Sequence, residues 1–336
     1  MKRLFIDDSI GRLASLSPAK KNLIVTDREV RRLHGRNFPA WPVIEIGRGE
    51  SSKTLATVEA LYEEFLKHEI DRSSCIVAIG GGIVCDVAGF AASTFMRGLP
   101  FGSVPTTLLA QVDASVGGKN GVNFKGYKNL VGTFTQPSFV LCDFSVLKTL
   151  PEDERKNGFA EAIKHGAMGD ARLFAYLEKN TEKAFAFAPE ALQRIVGDSI
   201  VLKSGIVQRD EREKGERRKL NFGHTIGHAL EKSACLAHGQ AVSIGMAVAS
   251  RLSVAKRLLS AAESHRIERL LRAFGLPVAM PVRVDALMDA LAKDKKRENG
   301  IIHFVLLERI GKSVTMPVRF SELREVLSEV RDPLHD

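Results

Sequence analysis

Along the first half of the chain, short apolar runs are separated by longer stretches in which apolar residues recur every three or four positions. The runs are Asn22–Thr26 (NLIVT), Val43–Ile46 (VIEI), Cys75–Ile79 (CIVAI), Gly102–Pro105 (GSVP) and Phe139–Cys142 (FVLC). Runs this short, with little polar interruption, suit buried strands. Between them, Glu29–Leu33 predicts a short helix. Glu50–His68 predicts a longer one, with Leu55, Val58, Leu61, Tyr62 and Phe65 at helical spacing. Ile83–Phe95 carries Ala, Val and Phe at helical intervals directly after Gly80, Gly81 and Gly82. Asp113–Asn129 (DASVGGKNGVNFKGYKN) is so rich in glycine and lysine that it reads as a loop, with no helix or strand of any length.

After Leu150-Pro151 the pattern changes. Helical spacing runs through Pro151–Gly169, Ala171–Glu182, Pro189–Arg209, Gly223–Lys232, Gln240–Leu259, Ala262–Phe274 and Asp285–Lys293. Only Ile301–Glu308 alternates like a strand or hairpin, and Ser321–Val330 predicts a short last helix. The pattern therefore predicts an α/β domain over residues 1–150 and a mostly helical domain over residues 151–336.

Composition changes this picture little. At 336 residues, with 44% hydrophobic and 26% charged, the chain has enough apolar material for two cores. The net charge of +9 comes from 49 Lys and Arg against 40 Asp and Glu, mixed along the chain with no basic tail. That favours a small anionic substrate over nucleic acid, and eighteen Phe against three Tyr and one Trp gives no stacking pattern for bases. Cys75, Cys85, Cys142 and Cys235 form no CxxC and read as reduced core residues of a cytoplasmic protein. Asp7 and Asp8 break any apolar leader, and no run reaches the roughly 20 apolar residues of a membrane helix.

Candidate chemistry concentrates in the helical half. Leu220–Met246 (LNFGHTIGHALEKSACLAHGQAVSIGM) holds three of the nine histidines. His224 and His228 are four apart and share a helix face, so they can converge on a metal, with His238 returning from a following loop as a further ligand. Ala229, Leu230 and Glu231 read as ordinary helix, and Gly239 as the residue that lets the chain turn sharply. In Gly158–Gly166 (GFAEAIKHG), Glu161 and Lys164 share a face. They are an exposed ion pair or, given small apolar neighbours, a packed pair in which Glu161 supplies a carboxylate ligand. Asp210–Lys219 and Ala292–Gly300 read as solvated charged turns, and Lys203 sits on an apolar helical stretch. In the first half, strand, glycine turn and helix at Cys75–Phe95 can place backbone amides at a phosphate, although a tight turn explains the glycines equally well. Thr106 and Thr107 are placed to cap the next helix. Gly117, Gly118 and Lys119 make a candidate anion loop.

Taken in order, GESSK, GGGIVCDVAGFAASTFMRG, PTTLLAQVDASVGGKNGVN, YKNLVGTF, TLP, GFAEAIKHG, LNFGHTIGHALE, HGQAVSIGM and DKK resemble the 3-dehydroquinate synthase family, a branch of the sugar-phosphate cyclases. The resemblance covers Asn22 to Leu307. It implies an α/β N-terminal nucleotide-binding domain plus an all-helical C-terminal metal-binding domain. It also implies NAD and one divalent metal, zinc or cobalt. The implied reaction turns 3-deoxy-D-arabino-heptulosonate 7-phosphate into 3-dehydroquinate and phosphate in the shikimate pathway. A cytoplasmic homodimer is implied, with no nucleic-acid or membrane partner.

Residue by residue, the resemblance points to Glu161, His224 and His238 as metal ligands, leaving His228 for proton or phosphate work. It assigns substrate contacts to Asp113, Lys119, Lys164, Lys203, Asn221 and one or both of Lys295 and Lys296. It places Arg97, Lys119, Asn129, Arg217 and His228 nearest the phosphate, with Arg97 contributed by a neighbouring subunit. For NAD it gives Asp27, Glu50 and Lys53 at the adenosine ribose, and Gly81, Gly82 and Asp86 at the diphosphate. Thr106, Thr107 and Thr149 complete that side, with Lys119 and Lys128 in the glycine-rich loop. A ribose-facing carboxylate fits NAD and not NADP. Three departures stand out: Asn120 where threonine is usual after GGK, FKGYKN in place of a proline-containing segment, and a short N-terminus that predicts a trimmed first strand.

Overall fold

The computed structural model describes residues 3–280, 283–294 and 301–329. The chain divides into two compact units, Met1–Glu154 and Arg155–Asp336. In the first unit the solid apolar runs become β2 (Asn22–Asp27), β3 (Val43–Ile46), β4 (Cys75–Gly80), β5 (Phe101–Pro105) and β8 (Phe139–Cys142). They join β1 (Arg3–Ile6) in one six-stranded sheet of order β1-β8-β5-β4-β2-β3, with every pairing parallel. The first strand is therefore present, as a four-residue edge. Helices α1 (Leu13–Leu16), α2 (Arg28–His34), α3 (Leu55–Lys67) and α4 (Gly82–Thr94) connect the strands. α3 starts five residues later than its pattern suggests. Glu50–Ser52 is a 3-10 turn, and Thr54 caps the helix by accepting from the Thr57 N–H. Leu23, Val25, Leu61, Phe65, Ile76, Val84, Val87 and Phe101 form the core beneath α3 and α4.

The glycine-lysine segment is the main departure. It contains a π-helical turn (Ala110–Ala114) and a two-stranded hairpin, β6 (Lys119–Phe124) and β7 (Tyr127–Phe134). Lys125 and Gly126 turn between the strands with φ of 47° and 82°, the two positive angles that a type I′ hairpin turn demands. Gly121 pairs with Gly132, and each is glycine because the backbones crowd there. A Cβ on Gly132 would lie 2.4 Å from the Asn120 carbonyl, and one on Gly121 2.7 Å from that of Val131.

The second unit carries α5 (Glu152–Gly169, which crosses the division), α6 (Ala171–Lys179), α7 (Thr181–Phe185), α8 (Pro189–Arg209), α9 (His224–Ala234), α10 (His238–Ala255), α11 (Ala261–Ala273), α12 (Val284–Asp294) and α13 (Phe320–Glu329). Asn180 breaks the expected Ala171–Glu182 helix in two. The unit is not all helical, because β9 (Ile301–Arg309) and β10 (Lys312–Arg319) form an antiparallel hairpin against α10. Ile226, Leu230, Ile244, Val248, Leu252, Leu287, Phe304, Leu306 and Leu327 make its core. α9 and α10 meet on glycines: a Cβ at Gly245 would stand 1.9 Å from the Gly223 carbonyl oxygen. Among the described residues, no helix is long and apolar enough to cross a membrane. Cys75, Cys85 and Cys142 are buried as expected, whereas Cys235 is exposed at the C-terminus of α9 with φ of 52°.

Candidate functional site

In the first unit the sheet order creates a switch point. From β2 the chain moves outward to β3, and from β4 it moves the other way to β5, while β2 and β4 are direct neighbours. In open parallel sheets the crevice beyond the carboxyl ends of such a pair is where ligands bind. Asp27 ends β2, and Gly80–Gly82 leave β4. Asp27 accepts the Glu29 and Val30 N–H groups through Oδ1, both at 2.9 Å, and so anchors α2. Gly81 caps α4 without a side chain, leaving the first amides of a thirteen-residue helix without a side-chain cap. Side chains at Gly81 and Gly82 would meet Thr107 Cγ2 at 3.2 Å and Ala114 Cβ at 3.3 Å, filling this cradle.

Neighbouring candidates tie the cradle together. Lys53 is 5% exposed and its Nζ lies 2.5 Å from Asp86 Oδ2 on α4. Asn123 Nδ2 donates to Glu50 Oε1 at 2.6 Å. The Thr106 N–H bonds the Gly80 carbonyl, and Thr107 Oγ1 accepts from the Ala110 N–H as a helix cap. Thr149 Oγ1 lies 3.1 Å from Nε2 of buried His34. Burial, the largest influence on His34, holds its pKa below the ordinary value. Asp113 ends in the π-helical turn, Lys119 opens β6, and Lys128 and Asn129 are exposed on β7. Asn120 fastens the hairpin: its Nδ2 donates to the carbonyls of Gly118 and Thr135 at 3.0 and 2.9 Å. Arg97 stands apart, exposed in the turn after α4 with φ of 66°. Thirteen helical residues separate that end from the glycine turn by roughly 20 Å.

The second unit gathers a different set. Glu161 and Lys164, one turn apart on α5, are 0% and 1% exposed and form an ion pair, so the exposed-pair alternative is excluded. His224 opens α9 and His238 opens α10. His238 is thus a helical residue and not a loop residue. Glu161 Oε1 lies 3.6 Å from His224 Nε2 and 3.2 Å from His238 Nε2. Ligands about 2.0–2.1 Å from a tetrahedral zinc stand roughly 3.3 Å apart, so these three atoms fit one divalent ion. All three ligand atoms lie within 4.8 Å of one another. His228 lies one turn beyond, exposed, its ring edge-on to His224 with centroids 5.3 Å apart.

Electrostatics separates the two clustered imidazoles. Burial and then the Lys164 ammonium push His224 down to about 3. Burial also opposes charge on His238, but hydrogen bonds to Glu161 and Glu231, reinforced by their charge, push it up to about 9. A proton on His238 Nε2 thus takes the position a metal would take. Glu231 is more than ordinary helix: its Oε1 lies 2.6 Å from His238 Nδ1. Its position seven residues after His224, two turns along α9, was the available signal.

Further candidates lie on α8 and in the segment before α9. Arg217, expected in a solvated turn, is 2% exposed in a 3-10 helix (Glu216–Asn221), and its N–H donates to Asp210 Oδ2 at 3.0 Å. Asn221 Nδ2 donates to Glu213 Oε1 at 2.6 Å, and Lys203 is buried on α8. Lys295 and Lys296 lie outside the described residues.

A glycine cradle at a sheet switch point and a carboxylate–imidazole cluster define a protein with separate places for a dinucleotide and a divalent metal. Comparison with known proteins agrees. The family models described as 3-dehydroquinate synthase N-terminal and C-terminal match residues 43–157 and 158–297. The 3-dehydroquinate synthase of Pelobacter propionicus is 45% identical over 319 residues, covering 93% of this chain and 88% of that protein. That of Desulforamulus reducens is 41% identical over 338 residues, covering 96% and 94%. Among solved structures, 2-epi-5-epi-valiolone synthase from Streptomyces hygroscopicus, with NAD+ and Zn2+ bound, superposes with a TM-score of 0.90 at 31% identity, covering 98% of this chain and 96% of that one. A 2-deoxy-scyllo-inosose synthase complexed with carbaglucose-6-phosphate, NAD+ and Co2+ gives a TM-score of 0.88 at 27% identity, covering 97% and 96%. The chain belongs to the 3-dehydroquinate synthase family.

Proposed function

We propose that the chain converts 3-deoxy-D-arabino-heptulosonate 7-phosphate into 3-dehydroquinate and phosphate, as a carbon–oxygen lyase using NAD and one divalent metal, zinc or cobalt. The observation that carries this reading is the cluster of buried Glu161 with partly buried His224 and His238 beside Lys164, in a chain up to 45% identical to relatives named for that activity. Bound in these places, NAD would supply a reversible hydride acceptor for the C5 carbinol, and the metal would supply a Lewis acid that lowers the pKa of the hydroxyl being oxidised.

The chain's own groups do the rest. Glu161, His224 and His238 hold the metal, and the Lys164 ammonium keeps the Glu161 carboxylate charged and oriented. Asp113, Lys119, Lys203, Asn221 and Lys296 bind substrate hydroxyls and carboxylate, and Lys164 adds a fixed cation. Arg217, Asn129 and His228 receive the phosphate, and fixed donors there stabilise charge as the C–O bond breaks. The ketone at C5 acidifies the C6–H, whose proton passes to His228 while its electron pair forms the C6=C7 double bond and the C7–O bond breaks to release phosphate. Reduction back to the alcohol, ring opening and an internal aldol closure would complete the product, with no net consumption of NAD. Asp27, Glu50 and Lys53 serve the ribose; Gly81, Gly82 and Asp86 serve the diphosphate; Thr106, Thr107, Thr149, Lys119 and Lys128 complete the nucleotide side. Arg97, at the far end of α4 from the cradle, serves a neighbouring subunit of a cytoplasmic homodimer.

Competition among sugar phosphates tests the reading. The zinc-loaded protein with NAD+ is expected to release phosphate from the acidic heptulosonate phosphate and not from neutral sugar phosphates. Release from a neutral sugar phosphate alone would reassign the chain to another cyclase, and lasting NADH accumulation would make it a dehydrogenase.

A further inference from the structure

The ring of His238 is gripped on both edges, and only one edge belongs to the metal cluster. Nε2 faces Glu161 Oε1 at 3.2 Å, while Nδ1 faces Glu231 Oε1 at 2.6 Å. The Glu231 side chain is 5% exposed. An imidazole offers Nε2 to a cation only when its remaining proton sits on Nδ1. A carboxylate accepting from Nδ1–H holds the proton there, fixes the ring's rotation and raises the basicity of the other nitrogen.

The backbone at the same point is held by a second residue. α10 begins at His238, and its N-cap residue, Ala237, has no side chain able to accept a hydrogen bond. Asn157 supplies the acceptor from another helix: the Gly239 N–H donates to Asn157 Oδ1 at 3.2 Å, buried from solvent. Asn157 precedes Glu161 by one turn of α5, so both stand on one face of that helix. The fit leaves no slack, since a Cβ on Gly239 would lie 2.5 Å from Asn157 Cα and 2.8 Å from its Oδ1. Gly239 is glycine because α5 and α10 touch there, and not because the chain turns sharply. The face of α5 that presents Glu161 therefore also sets the start of the helix that presents His238.

We infer that Glu231 and Asn157 are positioning residues of the metal centre. Glu231 sets the tautomer and rotation of His238, and Asn157 sets the register of α10 against α5. Together they bring Nε2 of His238 to Glu161 before a metal arrives. This rests on reading Glu161, His224 and His238 as the ligands. Neither positioning residue needs to touch the metal or the substrate.

Zinc affinity measured by chelator competition, alongside thermal unfolding of the metal-free proteins, tests the inference. Glu231→Ala is expected to weaken zinc binding by about 10–100-fold, the usual cost of losing an outer partner of a ligating histidine. The metal-free protein also loses the buried Glu231–His238 hydrogen bond and should melt somewhat lower, so zinc affinity is compared at a temperature where every variant is folded. Glu231→Gln keeps an oxygen that accepts from Nδ1–H and should recover most of the loss. Asn157→Ala should weaken zinc less than Glu231→Ala, with Asn157→Asp restoring it. Wild-type affinity in Glu231→Ala would overturn the inference. So would a loss in Glu231→Gln as large as that in His238→Ala, since Glu231 would then be a ligand itself. Should Glu231→Ala fail to fold, Glu231→Gln decides by the same comparison. His238→Ala separates the two levels: wild-type zinc affinity there refutes the ligand set, whereas zinc loss there with Glu231→Ala unaffected refutes only the positioning role.

Discussion

A carboxylate, an ammonium and two imidazoles share a few ångströms in the second unit, and their competition decides what each can do. Lys164 claims one oxygen of Glu161, the other faces both His224 and His238, and Glu231 takes the outer edge of His238. His228 is outside this arrangement, exposed and edge-on to His224. His238→Ala is therefore expected to lose zinc by more than the roughly 10–100-fold cost of an outer partner, with His228→Ala keeping wild-type affinity. Metal content after gel filtration, with chelator titration, checks both. Zinc loss in His228→Ala alone would mean that the helical pair holds the metal. Much of this cluster is visible in the sequence. The four-residue spacing of His224 and His228 puts them on one face, and the family pattern moves the second ligand to His238. What spacing cannot show is that α10 starts at His238, because no capping side chain precedes it. The cap comes from Asn157, eighty-two residues earlier.

Elements were legible where burial was uniform. β2, β4 and β8 are buried along nearly their whole length, so continuous apolar sequence marks them. α8 and α11 carry clear helical periods, and their observed bounds fall within a residue of the pattern. β6 and β7 were not legible, since glycine and lysine leave no alternation. Their pairing depends on backbone crowding at Gly121 and Gly132, which no propensity records. Glycines elsewhere separate into those that packing requires and those it does not. Gly245→Ala forces a Cβ against the Gly223 carbonyl and is expected to destabilise by about 3 kcal/mol or more. Gly197, inside α8 with nothing within 4 Å of an added Cβ, should gain about 0.5–1 kcal/mol as Ala. Urea unfolding checks both, and equal effects would contradict the packing described. A third case joins α4 to the hairpin. A Cβ on Gly89 would lie 2.2 Å from Asn120 Oδ1, whose side chain is tied by two hydrogen bonds. Gly89→Ala should therefore destabilise strongly, and less so in an Asn120→Ala background. An additive double-mutant cycle would show that Asn120 is not the obstacle.

Across the whole molecule, acid is expected to act on each unit through a different group. Burial lowers the His34 pKa below its ordinary 6.5, so the unfolded chain binds the proton more readily than the folded one. Its contribution is complete above that value and is lost as the pH falls through the lower folded value. In the second unit the group is Glu268, 4% exposed, whose ordinary value of 4.5 is the lower of the two. Burial opposes its charge, but Arg251 and Arg272 outweigh that and hold it below the ordinary 4.5. Its contribution is complete above 4.5 and fades as the pH falls past the folded value. Hydrogen exchange should show β2 and α2 losing protection first on acidification, with α10 and α11 following at lower pH. His34→Gln should remove the first stage, and an unchanged profile would contradict the assignment. The central claim concerns the chemistry, and one ratio tests it most directly: phosphate released per NAD present. With the heptulosonate phosphate in excess, zinc or cobalt bound and NAD+ equal to the enzyme, many phosphates and an equal number of dehydroquinate molecules should appear for each NAD, with no net NADH. Folded, metal-loaded protein that releases neither product, or that stops after one turnover with NADH formed, would contradict the account.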